Sequence, residues 1–230
     1  MSHTFYDGQE KLLVATDCII FGFDDNTIKL LLFKRKVDPL AGEWSLIGSF
    51  VKEKEGANHA AARVLEEYTG LENVYMEELG CFGEVDRDPG ARVLSIAYSA
   101  LIRIGEYDVD LVERHGAKWF DYDQIPSLVL DHNKMVDIAI QKLRRKAKYQ
   151  PLGFELLPEK FTIPQLQILY ECIYQRPLDK RNFRRKILSM NVLEKLDEKD
   201  KLGSKKGAFL YKFDHDKYHS LEQEGILFEI

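Results

Sequence analysis

The sequence predicts an α+β protein of two domains, and three observations lead to this fold class. The chain has 230 residues, of which 45% are hydrophobic and 31% charged, a globular composition with room for two modest domains. Residues 1–149 combine β-type apolar runs with a few helical segments, at spacings that do not suit a doubly wound sheet. The pattern changes around the Gln-Pro-Leu-Gly segment at 150–153, so we place the domains at residues 1–151 and 152–230.

The first domain is predicted to contain mainly strands, with two helices. Apolar runs bounded by turn residues predict strands at 12–23, 28–33, 44–51, 74–85, 93–104 and, as a short one, 118–120. A helix is predicted at 57–68. Gly70 follows it at the position where a glycine in the left-handed conformation commonly ends a helix. The spacing of Val136, Ile140 and Leu143 predicts a second helix at 133–148.

The second domain has the element order of a winged helix-turn-helix. Thr162 and Gln165 are predicted to form a capping box at the start of a helix. After a turn, Asp179 is placed to cap a second helix at 180–190. Two strands and the polar loop between them complete the domain, at 192–196, 208–213 and 197–207 respectively.

Charge is distributed unevenly along the chain. The whole sequence carries 33 Lys and Arg against 38 Asp and Glu, a net charge of −5 that excludes a uniformly basic surface. The segment 176–212 nevertheless holds twelve Lys and Arg against five Asp and Glu, a net charge of +7. This asymmetry favours one segment that faces an anion, the alternative being a solvated helix face next to a basic loop.

The predicted helix at 180–190 has one apolar and one basic side. Phe183, Ile187 and Met190 lie within a narrow arc and are predicted to pack on the preceding helix. Arginine can fork onto guanine, asparagine can pair with adenine, and both bind phosphate, so the opposite side suits a DNA major groove. The candidate DNA-binding residues on this helix and in the basic loop are Lys180, Arg181, Asn182, Arg184, Arg185, Lys186, Lys201, Lys205 and Lys206. Since one short helix contacts few base pairs, we expect a homodimer that binds a palindromic duplex operator.

The sequence indicates no metal, cofactor or membrane partner. The three cysteines are far apart and are expected to be buried small side chains, and the histidines form no H-E-x-x-H array. No apolar run approaches the length of a membrane span, and the first residues lack a signal-peptide core. We therefore expect a cytoplasmic protein without cofactor or metal.

Residues 49–71 resemble the Nudix box, Gly-x5-Glu-x7-Arg-Glu-U-x-Glu-Glu-x-Gly-U, where U is a bulky aliphatic residue. The positions align without a gap, and the matching residues are Glu55, Arg63, Leu65, Glu67, Gly70 and Leu71. Three residues depart from the pattern, since Ser49, Val64 and Tyr68 stand where the box has glycine, glutamate and glutamate.

The resemblance implies a chemistry that this box has largely lost. Nudix hydrolases cut a diphosphate linked to another moiety, using magnesium held by glutamates at i, i+3 and i+4 of one helix. Magnesium needs anionic oxygen ligands, and here the three positions are Val64, Glu67 and Tyr68. Glu66 cannot substitute, since it lies about 200° around the helix from position 64. We expect no hydrolysis, and the competing interpretation of this segment is an ordinary amphipathic helix packed on a core.

A degenerate box joined to a winged helix resembles the Nudix-related transcription regulators of the NrtR/AraR group. The segments that carry the resemblance are 86–90, 92–98, 161–167, 169–171 and 176–186. The resemblance implies a Nudix-like α/β/α sandwich with a mixed sheet, followed by a C-terminal winged helix-turn-helix. It also implies a homodimeric DNA-binding regulator whose first domain senses a small molecule. Residues 17–23 and 197–205 are similar to the Bacteroides-type arabinose branch.

The effector is expected to be a pentose such as L-arabinose that controls carbohydrate utilisation genes. A neutral sugar needs paired hydrogen bonds and an apolar face, whereas ADP-ribose needs cations for its diphosphate, and acidic and aromatic residues outnumber arginines around the box and the 86–90 turn. The candidate effector-binding residues are Trp44, Glu67, Tyr68, Asp86, Asp88 and Arg92. The alternatives are an ADP-ribose-responsive regulator of NAD metabolism, a Nudix hydrolase with relocated metal ligands, and a scaffold whose basic helix meets an acidic partner.

Overall fold

The predicted strands and helices occur in order in a computed structural model, which describes residues 8–24, 27–104, 109–149, 152, 156–201, 207–214, 216–217 and 220. Three short elements, at 109–114, 122–124 and 161–162, were not predicted, and the predicted strand at 44–51 is divided in two. The strands of the first domain are β1 (Leu13–Phe23), β2 (Ile28–Lys34), β3 (Trp44–Ser45), β4 (Ile47–Phe50), β5 (Met76–Phe82), β6 (Val93–Arg103) and β7 (Ala117–Asp121). Its helices are α1 (Ala57–Thr69), α2 (Val109–Arg114) and α3 (His132–Tyr149), with a 3-10 turn at Tyr122–Gln124. The second domain contains β8 (Phe161–Thr162), α4 (Ile163–Tyr174), α5 (Lys180–Ser189), β9 (Leu193–Asp200) and β10 (Ala208–Phe213). Across these described ranges, no helix has the length and apolar character needed to cross a membrane.

The long strand β1 is the centre of a mixed sheet. It pairs in parallel with β6, from Leu13 opposite Val93 to Phe23 opposite Arg103, and antiparallel with β2 and β4. The sheet is extended by β5, which pairs with β6, and by β3 and β7, which pair with β2. This mixture of parallel and antiparallel pairs, next to separate helices, confirms the predicted α+β class.

Helices cover both faces of the mixed sheet. Side chains alternate across a strand, so Ile20 of β1 packs in one cluster with Val64 of α1. Its neighbours Ile19 and Phe21 point to the other face and pack in a second cluster with Ile140 of α3. These side chains are buried, because both faces of the strand are covered. The first domain is therefore the α/β/α sandwich that the box resemblance implies.

The second domain has the predicted caps. Gln165 donates its backbone N–H to Thr162 Oγ1, and its own Oε1 accepts the Thr162 N–H at 2.8 Å, which completes the capping box of α4. Asp179 Oδ1 accepts the N–H of Asn182 at 2.8 Å and caps α5. The hairpin β9–β10, joined on its other side by β8, follows as the wing.

The wing strand β9 is longer than predicted. The predicted strand ends at residue 196, but β9 continues to Asp200 because its residues pair with β10, Lys199 opposite Phe209 and Asp200 opposite Ala208. Part of the predicted loop is therefore strand, and Lys199 lies on the strand rather than in the loop. Residues 202–206 lie outside the described part of the chain.

The two domains pack directly on one another. A single buried cluster includes side chains of both, from β1 to β10. Arg144 of α3 donates through Nε to the carbonyl oxygen of Ile173 at the end of α4, at 2.8 Å. The winged helix is thus fixed to the sandwich by α3, while the domain boundary at 151/152 stays a prediction.

The three cysteines have different environments. Cys18 is buried in the sheet, Cys172 is half-buried, and Cys81 is exposed. The expectation of three buried thiols is therefore wrong for Cys81, because β5 is the edge strand of the sheet.

Candidate effector cleft and DNA-binding surface

A cleft of about 270 Å³ is formed by β1, β4, the loop after β2, the 86–90 turn and the start of α3. Its charged and polar lining residues are Asp17, Arg35, Lys36, Ser45, Ser49, Tyr68, Arg87, Asp88 and His132. Its remaining lining residues are Ala15, Phe33, Val37, Leu46, Gly48, Phe50, Val93 and Leu130. The combination of apolar walls with a few polar groups is typical of a small-molecule site.

The floor of the cleft contains a linked set of charges. Arg87 makes a two-point ion pair with Asp131, with Nη2 2.7 Å from Oδ1 and Nε 3.0 Å from Oδ2. The same Nη2 lies 3.6 Å from Oδ2 of Asp17, which also accepts a hydrogen bond from the Ser95 hydroxyl at 2.6 Å. Burial opposes the charge of Arg87, but its hydrogen bonds and the charges of Asp131 and Asp17 raise its pKa. The guanidinium is therefore charged and fixed in place.

His132 completes the floor at the start of α3. Its Nδ1 accepts the Leu46 N–H at 3.1 Å, so this nitrogen carries the lone pair and the proton of the neutral ring is on Nε2. Burial lowers the pKa of His132 more than Asp17 and Asp131 raise it, so the ring is neutral at neutral pH. Nε2 lies 3.6 Å from Asp17 Oδ1 and has no hydrogen-bond partner among the residues that the structure describes.

The glutamate and arginine that match the Nudix box join the loop before α1 to the helix. Arg63 Nη2 lies 2.6 Å from Glu55 Oε1, and Arg63 Nε donates to Oε2 at 3.1 Å. Glu55 Oε1 also accepts the Lys52 N–H at 2.8 Å. The bonds from Arg63, then that from Lys52, lower the pKa of Glu55 to about 2. This part of the box retains a structural role.

The three positions that would hold magnesium in the box do not form a magnesium site. Val64 is 0% exposed, within the core between α1 and the sheet. Tyr68 packs its ring on Phe33, with centroids 5.4 Å apart, and burial, followed by the charge of Glu67, raises its pKa, so the hydroxyl stays protonated. Only Glu67 offers a carboxylate, and its side chain is 53% exposed. The residues present do not fit magnesium, and the described residues hold no group of three His, Cys, Asp or Glu placed to bind a metal.

The cleft contains two of the six predicted effector residues, Tyr68 and Asp88. Four lie outside its lining: Trp44, Glu67, Asp86 and Arg92. Trp44 packs edge-on against Phe120, with centroids 4.8 Å apart, and Arg92 donates to a backbone carbonyl of the preceding loop. The two acids are exposed to solvent. Packing and a loop contact engage Trp44 and Arg92, and the part of all four in effector binding stays a prediction.

The sequence alone did not identify the charged residues of the floor. Asp17 interrupts the apolar run of β1, and an acid in the middle of a buried strand is a signal of function or of a buried ion pair. Arg87 and His132 give no such local signal, since a turn arginine and a helix-start histidine are ordinary. Only the parallel pairing of β1 with β6 and the packing of α3 bring these residues together.

The basic side of α5 is exposed as predicted. Phe183 and Ile187 are buried against α4, and Met190 is partly buried. The polar residues Lys180, Arg181, Asn182, Arg184 and Arg185 are exposed, and Lys186 is half-buried. Apart from a hydrogen bond from Arg185 Nη2 to Asn182 Oδ1 at 3.1 Å, the basic side chains of α5 make no side-chain bond within the described chain.

The wing has a mixed charge. On β9, Lys195 and Lys199 place their ammonium groups 3.7 and 4.5 Å from the centre of the Phe209 ring. The same strand carries four acids, of which Glu194 pairs with a lysine at 3.0 Å. Lys201 is exposed at the end of the described strand. The predicted contacts Lys205 and Lys206 lie outside the described residues, so the positive charge of the described domain is concentrated on α5.

Comparisons with known proteins agree with this architecture. A model of the NUDIX domain matches residues 11–138, and a model of the NrtR DNA-binding winged helix domain matches residues 153–213. The ADPR responsive transcriptional repressor NtrR of Acinetobacter baylyi is 32% identical over 205 residues, covering 87% of this chain and 82% of the relative.

Two crystal structures of Shewanella oneidensis NrtR are also similar. One, a complex with a 27mer DNA, has a TM-score of 0.79 at 27% identity and covers 90% of this chain and 95% of that chain. The other, the NUDIX domain in complex with ADP ribose, has a TM-score of 0.53 at 26% identity and covers 60% of this chain and 92% of that chain. Neither of these two relatives is described as a sugar sensor, so the arabinose branch receives no support. The predicted group is confirmed at the coarser level: the chain belongs to the NrtR family of DNA-binding transcriptional regulators, in which a Nudix domain precedes a winged helix.

Proposed function

We propose that this regulator binds a palindromic operator as a homodimer and responds to an ADP-ribose-like effector held in the cleft. The observation that carries the proposal is the exposed basic side of α5, which has five cations and no acid, and whose cations form no ion pair with the residues that the structure describes. A degenerate Nudix box in the same chain supports sensing rather than hydrolysis.

The basic side of α5 suits duplex DNA because it combines point charges with planar hydrogen-bond donors. Lysines bind phosphate oxygens without regard to sequence, whereas arginine and asparagine also reach base edges. Asp179 caps the helix by accepting the backbone N–H of Asn182, so this contact engages the backbone and not the basic side chains. The proposed DNA-binding residues are Lys180, Arg181, Asn182, Arg184, Arg185, Lys186, Lys201, Lys205 and Lys206.

Two observations favour an ADP-ribose-like effector over a free pentose. First, the relative from Acinetobacter baylyi is named as ADPR responsive, and the NUDIX domain of Shewanella oneidensis NrtR is described in complex with ADP ribose. Second, Arg35 and Lys36 line the cleft, while Trp44, Glu67 and Asp86, three of the five residues on which the expectation of a sugar rested, lie outside it. Cations suit a diphosphate. The proposed effector contacts are Arg35, Lys36, Tyr68, Arg87 and Asp88.

A hydrolase is the less favoured function. At the magnesium positions, Val64 is part of the core and Tyr68 carries a protonated hydroxyl. Relocated ligands would require other carboxylates in one group, and the described part of the chain brings no such group together. We therefore propose that the Nudix domain binds its effector without cutting it.

The test is binding to the DNA upstream of the protein's own gene, measured by fluorescence anisotropy with and without ADP-ribose or L-arabinose. We expect specific binding that weakens steeply with salt and changes with ADP-ribose but not with L-arabinose. Reciprocally, the operator should change the affinity for ADP-ribose by the same factor. Failure to bind this DNA at low salt would contradict the proposal that the protein is a DNA-binding regulator. Magnesium-dependent release of AMP from ADP-ribose would contradict the proposal that the Nudix domain binds its effector without cutting it.

A further inference from the structure

The floor of the cleft contains a hydrogen-bond donor that the fold leaves without an acceptor. His132 is 1% exposed, and its Nε2, which carries the ring proton because Nδ1 accepts the Leu46 N–H, has no partner among the described residues. Asp17 Oδ1 is 3.6 Å from this nitrogen, beyond hydrogen-bond distance. A buried donor without a partner is costly, so an oxygen that lies beside these two atoms, within hydrogen-bond distance of both, would be bound favourably.

The chemistry of these two atoms selects a hydroxyl group. A hydroxyl both donates and accepts, so it can accept from His132 Nε2 and donate to Asp17 Oδ1. A phosphate is disfavoured, because Arg87 is already paired with Asp131 and the nearest charge is the Asp17 carboxylate. An ammonium group is disfavoured because the Nε2 of a neutral histidine with its proton on that nitrogen offers no lone pair.

Gly48 lies opposite Asp17 in the β1–β4 pairing and lets the backbone of β4 pack closely against the Asp17 carboxylate. A Cβ atom at residue 48 would lie 2.4 Å from Asp17 Oδ1 and 2.6 Å from the Thr16 backbone oxygen. Any other residue would therefore displace the carboxylate from the floor. Phe33 and Leu46 line the same cleft and offer an apolar surface for the face of a sugar ring.

We propose that Asp17 and His132 form a subsite for a hydroxyl of a pentose ring. The inference deepens the proposed function and rests on it, since the terminal ribose of an ADP-ribose-like effector would supply the hydroxyl, with its diphosphate towards Arg35 and Lys36. A free pentose carries the same chemistry, so the two sources are separated by experiment rather than by geometry.

The test is isothermal titration of the full-length protein with four probes: ADP-ribose, ADP, D-ribose and L-arabinose. His132→Asn keeps an acceptor for the Leu46 N–H but removes the Nε2 donor, whereas His132→Gln retains a donor near the Nε2 position. We expect ADP-ribose to bind at least about tenfold more tightly than ADP, and His132→Asn to remove this advantage while ADP binding stays unchanged. His132→Gln should restore part of it. Lys36→Ala, the matched control, should weaken ADP and ADP-ribose equally.

Each outcome separates the subsite from the proposed function. If ADP-ribose binds the wild type and His132→Asn equally well, the subsite is wrong and the ADP-ribose-like effector stands. If only D-ribose or L-arabinose binds, and His132→Asn weakens it, the subsite stands and the ADP-ribose-like effector is wrong. If no probe binds the wild type, both are wrong. Should His132→Asn fail to fold by circular dichroism, Asp17→Asn tests the same hydroxyl from its acceptor side, with the same expected loss.

Discussion

The helices α1 and α5 are both amphipathic, but the fold uses their distinctive residues in opposite ways. On α1, the residues that replace the box glutamates are packed, Val64 in the core and Tyr68 against an aromatic ring. On α5, the distinctive residues face solvent and have no acidic partner in the described chain. Packing therefore explains the departures of α1 from the box, whereas nothing in the fold explains the charge of α5.

The end charges of α5 strengthen this contrast. A helix macrodipole favours acids in the first turn and disfavours cations there, yet Lys180 and Arg181 open α5 and no acid lies in its first turn. These cations oppose the local stability of the helix. The replaced box positions of α1 thus serve its packing, whereas the cations of α5 are suited to a partner outside the fold.

The largest expected effect is on α1. Val64→Glu would place an unpaired carboxylate in the core between α1 and the sheet, and should lower the free energy of unfolding by about 3–5 kcal/mol. The measurement is urea denaturation, with Ala62→Glu on the exposed side of the same helix as the matched control, which should stay close to the wild type. If Val64→Glu with Tyr68→Glu instead gave a stable protein that binds Mg²⁺, α1 would be a metal-binding helix after all.

The next effect is on α5. Arg184→Glu with Arg185→Glu should weaken operator binding by about 100-fold or more, about 3 kcal/mol, because each change removes a donor and adds repulsion to phosphate. Lys134→Glu with Arg145→Glu, two exposed cations of α3, makes the same change in net charge and should have a much smaller effect. Equal losses for the two double variants in an anisotropy titration would mean that overall charge, not α5, governs binding.

Local patterns were sufficient to predict the helices α1 and α5. They were not sufficient to predict the cleft, which lies between α1 and the turn at 86–90. The caps at Gly70 and Asp179 and the buried side of α5 depend on residues within a few positions of one another. The cleft floor instead joins Asp17, Arg87 and His132, which come together through strand pairing and helix packing over most of the first domain. The length of the wing strand β9 was underestimated for the same reason. Its last residues are polar and were predicted as loop, but pairing with β10 makes them part of the strand.

A smaller effect is expected at the cap of α5. Asp179→Ala removes the acceptor for the Asn182 N–H and the only acid beside a first turn that carries two cations, and should cost about 1 kcal/mol of stability. Asp179→Asn keeps an equally good capping oxygen and should cost less. Urea denaturation of the two variants checks this, and a loss that is the same for both would assign the effect to charge rather than to the cap.

The smallest effect concerns the Glu55–Arg63 pair, the part of the box that α1 retains. The pKa of Glu55 is lowered from 4.5 to about 2, so the pair stabilises the folded state fully above pH 4.5 and loses its contribution as the pH falls towards 2. Both side chains remain partly accessible to solvent, Glu55 15% and Arg63 26% exposed, and an ion pair that solvent screens contributes little. Thermal denaturation at a series of pH values should show Glu55→Gln less stable than the wild type at pH 7, with the difference shrinking below pH 4.5. Glu53→Gln, an exposed neighbour, should show no such trend; a pH-independent difference for Glu55→Gln would mean that shape rather than charge holds the loop to α1.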